Sequence, residues 1–266
     1  MDPPPRLWPV FVAYLSAFVA IVVASIAAAV ALRASYPDLP EREVLSGLPA
    51  LLAGGAASSV ALVVTVLVVT RPLEAARLRL LPGREGGRHL LVMIVGVLAL
   101  GQALDSVTTL SGLADRGAMP AIRQALAGAK GIELFVAVAV IGLMAGTAEE
   151  LFFRGYMQTR LRERWRPAVA VLATSACFGI LHLEWIHASL AFVLGLYLGF
   201  VTEASGSTLP AVACHVVNNA VFTVLTVTVG TVEGLWQNTL LLGGSVAVFA
   251  ACVAWLRRAL PRPLPP

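Results

Sequence analysis

Eight apolar stretches of spanning or near-spanning length follow one another along this chain, at residues 8–32, 48–69, 90–110, 132–157, 167–183, 188–202, 209–229 and 238–256. A hydrocarbon core about 30 Å thick takes roughly 20 residues of α-helix to cross, and it offers no water to satisfy stray backbone groups. Such a pattern predicts an all-α fold: a polytopic membrane helix bundle of about eight transmembrane helices. Composition closes off the soluble alternative, since 58% of residues are hydrophobic, 13% are charged and mean hydropathy is +0.85. The first run, at about 25 residues, is too long for a signal-peptide core and lacks an A-x-A-type cleavage site, so it reads as a first span.

The fifth and sixth runs are short and their boundary at 183–187 is ambiguous, leaving seven spans as the alternative. Arginine placement separates the two counts. Arg71, Arg77, Arg79, Arg84 and Arg88 crowd the second loop, Arg160, Arg162, Arg164 and Arg166 the fourth, and Arg257, Arg258 and Arg262 the tail. With eight spans and a cytoplasmic N-terminus all three clusters fall in the cytoplasm, as the positive-inside rule requires, whereas seven spans would put the tail outside. The expected localisation is therefore integral membrane, multi-pass, with both termini cytoplasmic. The net charge of +4, with Lys130 the only lysine, reports this orientation and no nucleic-acid partner.

Between the third and fourth runs, Arg116, Arg123 and Lys130 interleave with Met119, Ile122, Leu126 and Ala129, the pattern of a short amphipathic helix on the outer surface. Gly142-x-x-x-Gly146 and Gly195-x-x-x-Gly199 offer small faces for close helix packing. Cys177, Cys214 and Cys252 lie in apolar runs without C-x-x-C spacing and read as small core residues.

Within the fourth run stand two adjacent carboxylates, Glu149 and Glu150, followed by Arg154. An ionisable group in hydrocarbon must be paired, neutralised or wet, so such residues mark function by default. Glu150 and Arg154 share a helix face at i, i+4 spacing and can pair, while Glu149, turned about 100° away, is left for chemistry. If the helix runs on to Pro167, Glu149 lies 16 residues before that proline and His182 lies 15 after it, so the two come level in an antiparallel hairpin. In the seventh run, begun by Ser207, Thr208 and Pro210, His215 enters at similar depth, with Asn218 beside Asn219 one turn on. His187 and Glu184 read as an outer interfacial loop.

A carboxylate with a histidine can deprotonate water, and a second histidine with an amide can donate to a tetrahedral oxyanion, which together describe peptide hydrolysis without a nucleophilic side chain. No H-E-x-x-H, G-x-G-D or G-x-S-G is present, and Asp2, Asp38, Asp105 and Asp115 all lie away from the constellation, excluding an aspartyl dyad.

Glu149-Glu150-x-x-x-Arg154, Phe178-x-x-x-His182 and His215-x-x-x-Asn219, in this order on successive helices, resemble the three motifs of the CAAX protease and bacteriocin-processing (CPBP, or ABI) family of intramembrane proteases, which includes the Rce1-type prenyl-protein endopeptidases. The resemblance covers 132–229 as a catalytic core, with 1–131 as N-terminal spans plus the outer segment and 230–266 as a last span and basic tail. It implies a cavity open to the cytosolic leaflet, Glu149 as the base that activates water, His182 as its partner, His215 and Asn219 on the oxyanion side, Glu150 with Arg154 as support, and Phe178 as a pocket wall. The implied partners are the bilayer and a peptide or membrane-anchored protein substrate. Two chemistries stay open: a metal-free site, favoured because Arg154 adds a cation nearby, or an open zinc site of Glu149, His182 and His215. A non-catalytic scaffold or immunity-type binding protein with the same fold is the alternative from another class. A transporter would call for inverted repeats or broken helices, which the sequence lacks.

Overall fold

The computed structural model describes residues 6–260, so the first residues of the proline-rich leader and Arg262 of the tail lie outside the described residues. Among the described residues all regular structure is helical. Eight main helices account for it: α1 (Trp8–Ser35), α2 (Leu48–Val69), α3 (Gly87–Leu110), α4 (Ile132–Arg162), α5 (Pro167–Ile180), α6 (Trp185–Ser205), α7 (Leu209–Thr228) and α8 (Leu235–Ala259). Seven are long and apolar enough to cross a membrane, and α5 is a shorter apolar helix of 14 residues, about 21 Å. The count of about eight holds, with the fifth member cut short.

Proline in the first turn starts α1, α2, α5 and α7, where its missing N–H costs no intrahelical bond. Helix α6 instead starts on Glu184, whose carboxylate accepts from the Ile186 and His187 amides, and it stops at Gly206, whose φ of 79° only glycine adopts freely. The ambiguous boundary between the fifth and sixth runs is thus a tight turn at Leu181–Glu184.

Helices pack in three pairs, α1 with α2, α3 with α8 and α5 with α6, and α4 meets α7 between them. Two apolar clusters flank that seam. One gathers Phe152, Phe153, Met157 and Leu161 of α4 with Phe178 of α5 and residues of α1 and α2. The other joins Met93 and Val97 of α3 to Leu198 and Val201 of α6, Cys214 of α7 and Leu256 of α8. The outward faces of α1 and α8 expose Leu15, Val19, Leu240 and Val246, as lipid-facing surfaces do. Both small faces are used. A Cβ on Gly146 would lie 3.1 Å from the Val216 amide nitrogen of α7, and one on Gly195 would lie 3.1 Å from the Arg154 guanidinium.

Helix α4 departs from the regular helix that its sequence predicts. Residues Val138–Ala145 and Leu151–Gln158 are π-helical, and only the turn Gly146–Glu150 between them is α. The wider turns displace carbonyls from their usual partners. Thr159 Oγ1 donates to the Arg154 carbonyl five residues back at 3.0 Å, satisfying one of them.

On the arginine-bearing face, the connection 70–86 lies across the turn between α6 and α7. Thr208 Oγ1 donates to the Leu78 carbonyl at 2.9 Å, and the Arg84 amide donates to the Ser205 carbonyl at 2.8 Å. Glu203 takes ion pairs from Arg79 and Arg162, each at 2.9 Å, plus a hydrogen bond from Gln158 at 3.0 Å. On the opposite face the expected outer helix is present as Met119–Leu126, resting against α2 and α7.

Candidate active site

Glu149 and Glu150 sit on the single α turn between the two π stretches, and the consequence is a division of labour. Glu150 is fully buried, and its Oε1 faces both Arg154 Nη1 and His215 Nδ1, each at 2.8 Å. Arg154, also fully buried, spends Nη2 on the Gly195 carbonyl at 2.9 Å and lays its guanidinium over the Phe178 ring, 4.9 Å from the centroid. That carbonyl is reachable because Gly195 has no side chain. Glu149 keeps 21% of its side chain accessible and makes no hydrogen bond to another described residue. Its nearest charged neighbour is His215, whose Nε2 lies 3.6 Å from Glu149 Oε2.

His215 is therefore wedged between the two carboxylates, one at each ring nitrogen. A carboxylate only accepts, so Nδ1 must carry the proton it shares with Glu150. With Glu149 and Glu150 ionised, Arg154 cancels one charge. One further proton at the other end, on His215 Nε2 or on Glu149, cancels the other, and a low-dielectric interior favours that neutral sum. The cluster thus holds one exchangeable proton at the exposed end, next to Glu149.

Phe178 separates this cluster from the second histidine. Its ring meets His215 edge-on at 5.8 Å and His182 edge-on at 5.1 Å. His182 lies in the α5–α6 turn, its Nδ1 donating to the Phe178 carbonyl at 2.9 Å, so Nε2 is left with a free lone pair in the neutral ring. The next residue, Leu183, has φ of 60°, an unfavourable left-handed conformation for a bulky side chain.

The expected set comes together unevenly. Glu149, Glu150, Arg154, His215 and Phe178 form one contiguous group. No hydrogen bond or ion pair joins His182 to Glu149 among the described residues, and the histidine beside that carboxylate is His215. Equal depth was estimated for a regular helix, whereas π turns advance less per residue. Asn219 lies one turn beyond His215, donating to the Ile141 carbonyl at 3.1 Å and accepting from Asn218 at 3.3 Å, so one of its amide hydrogens stays free. Glu149, His182 and His215 do not gather as a metal set: no three His, Cys, Asp or Glu among the described residues lie close enough to hold an ion. Both nitrogens of His215 are turned to carboxylates. These residues do not fit a zinc centre, and the metalloprotease reading finds no support in them.

Two residues read from sequence as an outer loop belong beside the site. His187, in the first turn of α6, packs its ring against His182 with centroids 4.4 Å apart, within electrostatic range of Glu149. Glu184 caps that turn, and the Ile186 and His187 amides hold its carboxyl below the usual range. The signal was available, since an acidic residue just before an apolar run is a helix start and would have brought His187 onto α6. Gln158, one turn past Arg154, went unremarked in the sequence as well, and it bonds Gly199 as Arg154 bonds Gly195.

Compared with known proteins, residues 131–221 match the family model described as type II CAAX prenyl endopeptidase, Rce1-like. No curated protein and no solved structure matches the chain. The matched stretch holds the glutamate pair, the histidine turn and the His215–Asn219 face, and it leaves α1, α2, α3 and α8 outside. Such a match is one of CAAX-type membrane proteases in general. Over these helices the chain is similar to the Rce1-like family, the group that the order of the three motifs resembles.

Proposed function

We propose that this protein is an intramembrane endopeptidase that hydrolyses a peptide bond near the cytosolic leaflet, using water activated by Glu149. The observation that carries this reading is the contrast between the two glutamates. Glu150 is spent on Arg154 and His215, while Glu149, its neighbour on the same turn, is accessible and unbonded, 3.6 Å from His215 Nε2. A carboxylate so placed can take a proton from water, with His215 balancing the charge as it changes. Glu149 passes the proton it took from water to the departing amine, His182, with its Nε2 lone pair free, accepts a hydrogen bond from the attacking water, and the free hydrogen of Asn219 donates to the oxyanion. Arg154 and Phe178 hold the cluster in place. The substrate is a membrane-anchored peptide or protein whose scissile bond reaches in from the cytoplasmic side, where the arginine clusters put the loops around α4 and α7.

Purified protein in liposomes, offered membrane-anchored peptides, tests this directly. Wild type should cleave, and Glu149→Gln should lose activity by about 10²-fold or more with the fold intact. Cleavage that survives Glu149→Gln overturns the role of Glu149, and a wild type that binds such peptides without cleaving any points to the scaffold alternative.

A further inference from the structure

We propose that His187 is a positioning residue for His182, setting the orientation and protonation of its ring, so that the site works with a histidine pair in addition to the Glu149–His215 pair. This deepens the protease reading and rests on it for its consequence in turnover. Its structural part stands alone. The two rings lie 4.4 Å apart at an interplanar angle of 61°, closer than any other ring contact described here. His182 is tied on its other side by the Nδ1 bond to the Phe178 carbonyl and by the Phe178 ring, so His187 completes a three-sided holder around it.

What fixes His187 is equally specific. Its amide and that of Ile186 bind the Glu184 carboxylate at 3.0 and 2.9 Å, and the same carboxylate packs against Gly117, just before the outer helix. Gly117 makes room for it, because a Cβ there would lie 2.5 Å from the carboxyl group. One carboxylate thus caps α6 and lies against the approach to the outer helix, next to the strained His182–Leu183 turn. The ionisable groups facing His187 are His182 from the turn, Glu149 from α4 and Glu184 from its own cap. Two imidazoles this close cannot both be protonated without repulsion, so a proton on one disfavours a proton on the other, and a change at His187 is felt at His182. Neutral His182 keeps its Nε2 lone pair only while that proton rests elsewhere.

The test uses full-length protein labelled with ¹⁵N-histidine in detergent micelles. Only four histidines are present, His89, His182, His187 and His215, so single replacements assign every signal. His187→Gln should raise the titration midpoint of His182 by about one pH unit, because the competing ring is gone. His187→Phe keeps an aromatic ring in the space and should show the same shift. In the cleavage assay both variants should lose about a hundredfold in kcat with KM little changed, the acid limb of the pH profile moving with the His182 midpoint. An unmoved His182 midpoint in both variants, or full activity in His187→Phe, overturns the proposal and reduces His187 to packing. If wild type cleaves nothing, the protease reading fails and the titration still decides whether the histidines act as a pair.

Discussion

At the residue scale, Glu150 and Arg154 show why a charged pair survives in a membrane bundle. Each is fully buried, and each is bonded to a second partner, Glu150 to His215 and Arg154 to the Gly195 carbonyl. Removing one side of a buried pair leaves an uncompensated charge, at a cost of about 3–5 kcal/mol, whereas removing both is far cheaper. Arg154→Met and Glu150→Gln should therefore each lower thermal stability in detergent strongly, and the two together should recover much of the loss. The double-mutant cycle reads this directly, and a double variant no more stable than the singles would contradict the pairing. The i, i+4 spacing made this pair legible in the sequence. The partner of Glu149 was not legible, since the depth estimate assumes a regular helix and α4 is π-helical on both sides of the glutamate turn. The acidic cap at Glu184 was there to be read, and it would have placed His187 on α6.

At the element scale, the irregular turns carry the site. The sequence marks where α4, α5 and α7 begin, because proline and the apolar edge are local signals, but the two π stretches of α4 have no local signature. The first of them packs closely on α7, with Gly142 inside it and Gly146 just after it set against the α7 backbone. Gly146→Val should push α7 away from the glutamate turn, costing about 1–3 kcal/mol by overpacking and abolishing cleavage, while Gly146→Ala should do less of each. Unchanged cleavage in Gly146→Val would show that α7 need not touch α4 there. The His182 turn offers the opposite experiment. Leu183 is mostly exposed and sits at φ of 60°, so Leu183→Gly relieves a left-handed strain of about 1–2 kcal/mol against a smaller entropic cost. The melting temperature should hold or rise while kcat falls, because the turn that aims His182 becomes looser. A lower melting temperature with normal kcat would mean that the strain serves stability and not the site.

At the scale of the molecule, the fold class was legible because hydropathy and arginine placement act on the whole chain, whereas the pairing of helices around the α4–α7 seam depends on contacts between distant segments. One such contact is the strap, residues 70–86, pinned across the α6–α7 turn by Glu203, Arg79, Arg84 and Thr208. Glu203 is its hub, holding Arg79 and Arg162 in partly buried pairs and Gln158 by a hydrogen bond. Glu203→Ala should free the strap at about 1–2 kcal/mol, below the cost of a fully buried pair because these groups keep some solvent. Trypsin then reports both the release and the orientation. In inverted membrane vesicles, cleavage after Arg77, Arg79 and Arg84 should be slow for wild type and fast for Glu203→Ala, since the wild-type bonds hold this backbone against the α6–α7 turn. In sealed, right-side-out cells neither protein should be cut if the strap faces the cytoplasm, as the positive-inside rule expects. Cleavage from the outside would reverse the topology, and equal protection of both proteins in inverted vesicles would show that Glu203 does not hold the strap. Because the site is built by α4, α5, α6 and α7, cleavage activity in Glu203→Ala should fall less than in Gly146→Val, separating the clamp on the cytoplasmic face from the seam that carries the chemistry.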